Sequence, residues 1–192
     1  MKSKILALFL LTISINIFGC SPVNVLGAGA GTGMVVAEGD RTLGTVVDDA
    51  TIKINISAKF INSPDNLFVD VSTTVLEGRV LLTGLVDNQE LRIDAVRRVW
   101  EVEGVNEVVN EIQVGNRSTL KEYAQDIWIT TQVKGLAAKT LGLRSIAYNF
   151  ETIKGKVYIA GITSRPEQLE ELTEVIKSIK GVTEIVNYVI VK

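Results

Sequence analysis

The 192-residue chain has no histidine, a single cysteine and three prolines. Without histidine it lacks both the usual general base near neutral pH and the commonest metal ligand. One cysteine cannot form an internal disulfide. No HExxH, GxSxG or EF-hand pattern occurs, so the expectation is a non-enzyme with no cofactor and no metal. Charge is nearly balanced, with 20 Lys and Arg against 22 Asp and Glu. That lacks the basic excess a nucleic-acid partner requires. Asp48-Asp49, at an expected helix start, complement the positive end of the dipole, and Glu170-Glu171 read as a solvated helix face. The glycines of "GAGAGTG" (27–33) fit neither G-x-G-x-x-G nor a P-loop, and no strand precedes them.

The apolar residues are concentrated first at the N-terminus. Two lysines fall within residues 1–4, a nearly uncharged run covers Ile5 to Phe18, and Gly19-Cys20 follows. This is the layout of a secretory signal, and the run is shorter than the roughly 20 residues that cross a bilayer as a helix. Ile17-Phe18-Gly19-Cys20 resembles a bacterial lipobox, in which cleavage precedes the cysteine and its thiol carries a diacylglycerol. Phe18 departs from the small residue usual there, and a plain signal peptide is the competing reading. The expected leader is 1–19, with Cys20 as the lipid-attachment residue. Acyl chains such as palmitate contribute roughly 0.8 kcal/mol per buried methylene, so two or three of them anchor stably. Residues 20–45 then read as anchor and tether, with six glycines between 21 and 44 and no helical or strand period.

The strongest feature is an internal repeat. A shift of 77 residues lays Asp49 on Asp126, Gly78 on Gly155, Gly84 on Gly161, and Val109-Asn110 on Val186-Asn187 without a gap. Two domains are expected, 46–115 and 119–192, each parsing as αββαβ. A first helix covers 46–62 or 120–139. A hairpin turns at Glu77-Gly78 or Lys154-Gly155, with Val69, Val71 and Thr73 alternating before the first turn. A second helix starts at Asp87 or Ser164, each three residues before a glutamate, and ends near Gly104 or Gly181; a last strand closes the unit. The fold class is α+β, each domain a three-stranded mixed sheet packed against two helices.

The gapless αββαβ repeat, the G-x-V-x-[LI]-x-G strand (Gly78 to Gly84, Gly155 to Gly161) and the "GV-x-E-V-x-N" strand entry resemble BON domains. Two of them behind a lipobox, opened by "GTVVDD" and "DIWITTQV", are similar to dual-BON outer-membrane lipoproteins. The resemblance implies a lipid-anchored protein on the periplasmic face of the outer membrane. It also implies binding of anionic phospholipid (phosphatidylglycerol, cardiolipin) by the first helix of the second domain, support of envelope integrity, and concentration at the division site. It brings Asp126 into that contact, and it has a polar residue where Ile127 stands.

Residue periodicity leads to the same helix. At 100° per residue Ile129, Val133, Leu136 and Ala137 form the core stripe, as Ile52, Ile56 and Phe60 do in the first copy. Ala124, Ile127, Trp128, Thr131, Lys134 and Gly135 point away. Trp128 aligns with Thr51 and Ile127 with Ala50, so folding tolerates small or polar groups at both positions. An indole pairs a large apolar ring with an N–H donor and suits a membrane-water interface. Residues 48–114 hold six basic against twelve acidic groups, a balance of −6, while residues 118–192 hold ten against eight, a balance of +2. Only the second domain suits an anionic surface, with Lys121 and Lys134 as charge partners. The competing reading packs Ile127 and Trp128 against the first domain, whose matching face carries Ala50, Ile54 and Ile61. Trp100, aligned with Lys177, is expected at a domain contact. A non-catalytic adaptor docking an envelope protein or outer-membrane assembly machinery is the alternative function.

Overall fold

A computed structural model describes residues 43–63, 67–116 and 119–192. The leader, Cys20 and most of the tether lie outside the described residues. The first domain runs α1 (Leu43–Ile61), a single helical turn (Leu67–Asp70), β1 (Val71–Leu76), β2 (Arg79–Val86), α2 (Gln89–Trp100) and β3 (Glu107–Val114). The second repeats it as α3 (Leu120–Leu141), a 3-10 segment (Gly142–Ala147), β4 (Tyr148–Ile153), β5 (Lys156–Thr163), α4 (Pro166–Lys177) and β6 (Glu184–Val191). In each sheet the hairpin is antiparallel and the last strand pairs parallel to the middle one. Both are therefore mixed three-stranded sheets.

One core fills each space between helices and sheet. Ile52, Ile56 and Phe60 of α1 meet Val80, Leu82, Val99 and Ile112, and Ile129, Val133 and Ala137 of α3 meet Val157, Ile159, Leu172 and Ile176. α1 is rich in β-branched residues, yet tertiary burial of its stripe outweighs that weak local preference. Thr51 and Ser57 turn their hydroxyls onto the carbonyls of Val47 and Lys53, one turn back, which satisfies them within the helix. α3 opens with a capping box: the Glu122 amide donates to Thr119 Oγ1 at 3.3 Å, and the Thr119 amide donates to the Glu122 carboxylate at 2.7 Å.

Three local expectations are corrected. The α2 cap is Asn88, one residue beyond Asp87, with Oδ1 accepting from the Leu91 amide at 2.9 Å. Ser164 caps nothing: α4 follows Arg165 with Pro166 in its first turn, where the ring fixes φ and its missing N–H costs no bond. Val69 belongs to the single helical turn, 78% exposed, instead of to a strand.

The domains do touch, but not through the outer faces of their first helices. They pack sheet to sheet, each offering the face its helices leave bare. Leu76, Leu81 and Val109 meet Ala160, Ile162, Tyr188 and Ile190 there, giving layers in the order helices, sheet, sheet, helices. Around this cluster Tyr188 Oη donates to Glu111, Lys156 lies 3.7 Å from Glu111, and Arg79 sits over the Tyr188 ring at 6.0 Å. Gln113 Nε2 donates to Tyr158 Oη at 3.3 Å, and Lys192 pairs with Glu77. These contacts obey an approximate two-fold. Glu111 and Tyr188 are repeat equivalents, 77 apart. The Arg79–Tyr188 contact becomes Lys156–Glu111 when the domains are exchanged, and Glu77–Lys192 becomes Lys154 beside Gly115-Asn116. Burial holds the Tyr188 phenol up at about 12, with Glu111 adding to it. Trp100 is 52% exposed on α2, a helix packed on its own domain's α1, β2 and β3, so it is not at the junction.

Candidate functional site

Consecutive residues on a helix lie 100° apart, so the expected site divides into two stripes along α3. Trp128 and Lys121, seven apart, share the outermost stripe with Ala124 and Gly135. Ile127 and Lys134, also seven apart, turn to the flank facing the first domain. All six are exposed, Trp128 by 48% and Ile127 by 50%. Thr131 lies between the stripes, its hydroxyl donating to the Ile127 carbonyl at 2.8 Å.

Asp126 does something other than expected. It is 8% exposed, and its carboxylate accepts the amides of Lys154 at 2.7 Å and Gly155 at 2.9 Å, at the hairpin turn. Both turn residues have positive φ, 51° and 79°, which directs their N–H groups together onto one acceptor. Asp49 repeats this with Glu77 at 2.8 Å and Gly78 at 2.9 Å. The pair therefore clamps helix to hairpin in both domains. A buried carboxylate holding two backbone donors is spent on the hairpin, so Asp126 serves the fold where a lipid contact was expected, and Asp49 has a task beyond the helix dipole.

The Ile127 flank borders a groove of about 510 Å³ between α3 and the first domain. Val69, Asp70, Ser72, Gly84 and Leu85 line one side; Tyr123, Asp126, Ile127, Thr130, Thr131, Lys134 and the strand residues Glu151, Thr152 and Ile153 line the other. Thr130 Oγ1 donates to Thr152 Oγ1 at 2.8 Å across its floor. Burial raises the Glu151 carboxyl above the ordinary glutamate value; nearby Lys134 opposes this and Asp126 adds to it. Among the described residues neither the Glu151 carboxylate nor the Lys134 ammonium closes a hydrogen bond or an ion pair. Sequence reasoning missed Glu151, Thr130 and Val69, because a groove between two domains has no local signal.

No helix among the described residues is long and apolar enough to cross a membrane, and no group of three or more His, Cys, Asp or Glu is placed to hold a metal. The sequence profile of the BON domain matches residues 48–116 and 125–192. A protein of Anaplasma centrale described as "Uncharacterized protein in gshII 5'region" is 38% identical over 147 residues, 76% of this chain and 96% of that one. The outer membrane lipoprotein DolP of Haemophilus influenzae is 29% identical over 179 residues, 92% of this chain and 91% of that one. The osmotically-inducible protein Y of Escherichia coli is 25% identical over 157 residues, covering 81% and 78%.

Proposed function

Since the chain belongs to the BON-domain family, with two such domains in tandem, we propose that it is a non-catalytic outer-membrane lipoprotein facing the periplasm, holding anionic phospholipid against the outer face of α3. Its role is to support outer-membrane integrity, with the division site as its place of action. The observation that carries the reading is Trp128: an indole 48% exposed on the outer stripe of a helix whose repeat equivalent carries Thr51. Two features agree with it. The junction forms through the sheets, so the indole is not needed to join the domains. Lys121 sits two turns away on the same stripe, and a basic group near anionic lipid contributes about 1 kcal/mol. Cys20 supplies the anchor, so Trp128 has only to orient a domain already held at the surface.

Residues 21–192 are expected to sediment with phosphatidylglycerol or cardiolipin vesicles. Trp128→Glu should weaken this at least roughly tenfold, since burying an indole is worth about 2–3 kcal/mol, while leaving the circular dichroism spectrum unchanged. In a Trp100→Phe background the remaining emission should shift to the blue on acidic vesicles. Undiminished sedimentation of the Trp128→Glu chain turns the reading to an adaptor for envelope proteins or outer-membrane assembly machinery. One feature favours that second reading. The outer face of α1 carries Val47, Ile54 and Ile61, each more than half exposed, with Ala50, Thr51, Ser57 and Ala58 among them and no charge.

A further inference from the structure

The approximate two-fold provides the groove with its own control. A second, smaller groove of about 160 Å³ lies beside α1, lined by Val46, Asp49, Ala50, Lys53, Thr74, Val75 and Asn149. Each of these is the repeat equivalent of a residue lining the large groove: Tyr123, Asp126, Ile127, Thr130, Glu151, Thr152 and Ser72. The last pair exchanges domains, as a two-fold requires. The differences between the grooves are therefore what the second copy has that folding does not demand.

They fall into two kinds. Inside the large groove the wall becomes polar and the cation leaves the floor. Thr74 is replaced by Glu151, Val75 by Thr152 and Lys53 by Thr130, and Lys134 stands one turn on, where α1 has Ser57. At the rim the side chains become larger: Tyr123 for Val46 and Ile127 for Ala50, with Val69 opposite them on the first domain. A polar interior under an apolar lip is the profile of an amphiphile at its headgroup. At about 510 Å³ the space lies within the range of small-molecule sites.

Resting on the phospholipid reading, we propose that this groove seats one phosphodiester headgroup bearing a hydrogen-bond donor beyond the phosphate, a glycerol hydroxyl or an ethanolamine ammonium. Lys134 takes the phosphate and Glu151 accepts the donor. The lining holds one lysine and three carboxylates, but Asp126 is taken by the hairpin amides and Asp70 has an interaction of its own, so Lys134 and Glu151, which do not close on one another, are the charges left to a ligand with both features. Glu151 is half-buried and desolvated, and its carboxylate has no hydrogen bond among the described residues, so a donor there restores what burial removed. The threonine hydroxyls of the wall and floor accompany the polar arm, and Tyr123, Ile127 and Val69 meet the start of the acyl region. The groove thus selects the headgroup, while the Trp128 stripe senses the surface.

The test uses lipids paired by charge that differ in the donor. The full chain is placed in phosphatidylcholine nanodiscs doped with phosphatidylglycerol, with phosphatidylmethanol or with phosphatidylethanolamine. Amide shifts of Thr130, Lys134 and Glu151 read groove occupancy, and Trp128 emission reads surface contact in the Trp100→Phe background. Phosphatidylglycerol should half-saturate the groove at a mole fraction roughly tenfold below phosphatidylmethanol, the size of one charge-assisted hydrogen bond. Phosphatidylethanolamine should shift the same amides where phosphatidylcholine alone does not. Glu151→Ala should remove the tenfold preference, and Glu151→Gln, which keeps an acceptor, should retain part of it. Equal saturation by phosphatidylglycerol and phosphatidylmethanol in the unaltered chain overturns the groove proposal, even where the Trp128 blue shift upholds the membrane reading. Soluble glycerophosphoglycerol separates the two sources. If it moves the groove amides while no lipid moves Trp128 emission, the site stands as one for a free diester and the membrane reading falls. If neither responds, both fall.

Discussion

Replacing Asp126 separates a structural clamp from a ligand contact. In Asp126→Ala the amides of Lys154 and Gly155 lose an acceptor at 2.7 and 2.9 Å in a place where the residue is 8% exposed, so water replaces it poorly. Hydrogen bonds to charged groups contribute about 1.5–3 kcal/mol each. The lower end for each bond gives a loss of about 3 kcal/mol, a large share of the roughly 5–15 kcal/mol that holds a typical domain together. Asn at 126 should fare little better, because its Nδ2 presents a donor to one of two donors. Urea denaturation should show the loss, and thermal melting should fall by roughly 10 °C at 2–4 °C per kcal/mol. Asp49→Ala should cost a similar amount, since it clamps Glu77 and Gly78 in the same way. Hydrogen exchange at Lys154 and Gly155 should accelerate in the Asp126 variant alone. The reasoning is refuted if Asp126→Asn melts like the unaltered chain but loses vesicle binding, for then the carboxylate is spent on ligand and not on the hairpin.

Three other outcomes follow from the packing of the two domains. Burial raises the Glu151 carboxyl in the folded state, with Asp126 adding to it and Lys134 opposing. Its contribution to stability is thus fullest below the unfolded value near 4.3 and is lost as pH rises through the folded value. Glu151→Gln should therefore melt higher than the unaltered chain at pH 7 and converge with it near pH 4; a lower melting point at pH 7 contradicts the assignment. Ala160, 2% exposed in the sheet-to-sheet cluster, should tolerate no charge. Ala160→Glu should cost about 3–5 kcal/mol and divide one denaturation transition into two, whereas a retained single transition contradicts the sandwich. Gly135 lies mid-helix with nothing within 4 Å of an added Cβ, so Gly135→Ala should stabilise by about 1 kcal/mol in urea denaturation; a destabilised chain would mean that the position is packed.

Features that recur within one domain were legible in the sequence. The stripes of Ile52, Ile56 and Phe60 and of Ile129 and Val133, and the turns at Glu77-Gly78 and Lys154-Gly155, follow from period and turn chemistry that a 77-residue shift repeats. What escaped depends on partners distant in sequence. Asp126 was expected at the lipid contact because nothing local shows its two donors, which are 28 and 29 residues away. The junction did leave a trace: Val80 to Leu82 and Val157 to Ala160 are apolar on both faces, as expected of a strand covered on both sides. The missed signal was continuity where alternation was being sought. The groove residues Glu151 and Thr130 gain meaning only once the two copies are laid over each other in space.

A contact whose positions largely recur with partners exchanged has the plan of one made by two identical subunits. The two halves are not interchangeable, however: a twin of the first domain would set Glu111 against Glu111, where the tandem has Tyr188 donating to Glu111. Joining two copies end to end makes that encounter intramolecular, at an effective concentration set by a few linking residues. Each copy is then released from being identical to the other. Thr51 and Trp128, or Thr74 and Glu151, are what such release looks like: one half keeps a plain surface while its duplicate specialises on the same scaffold.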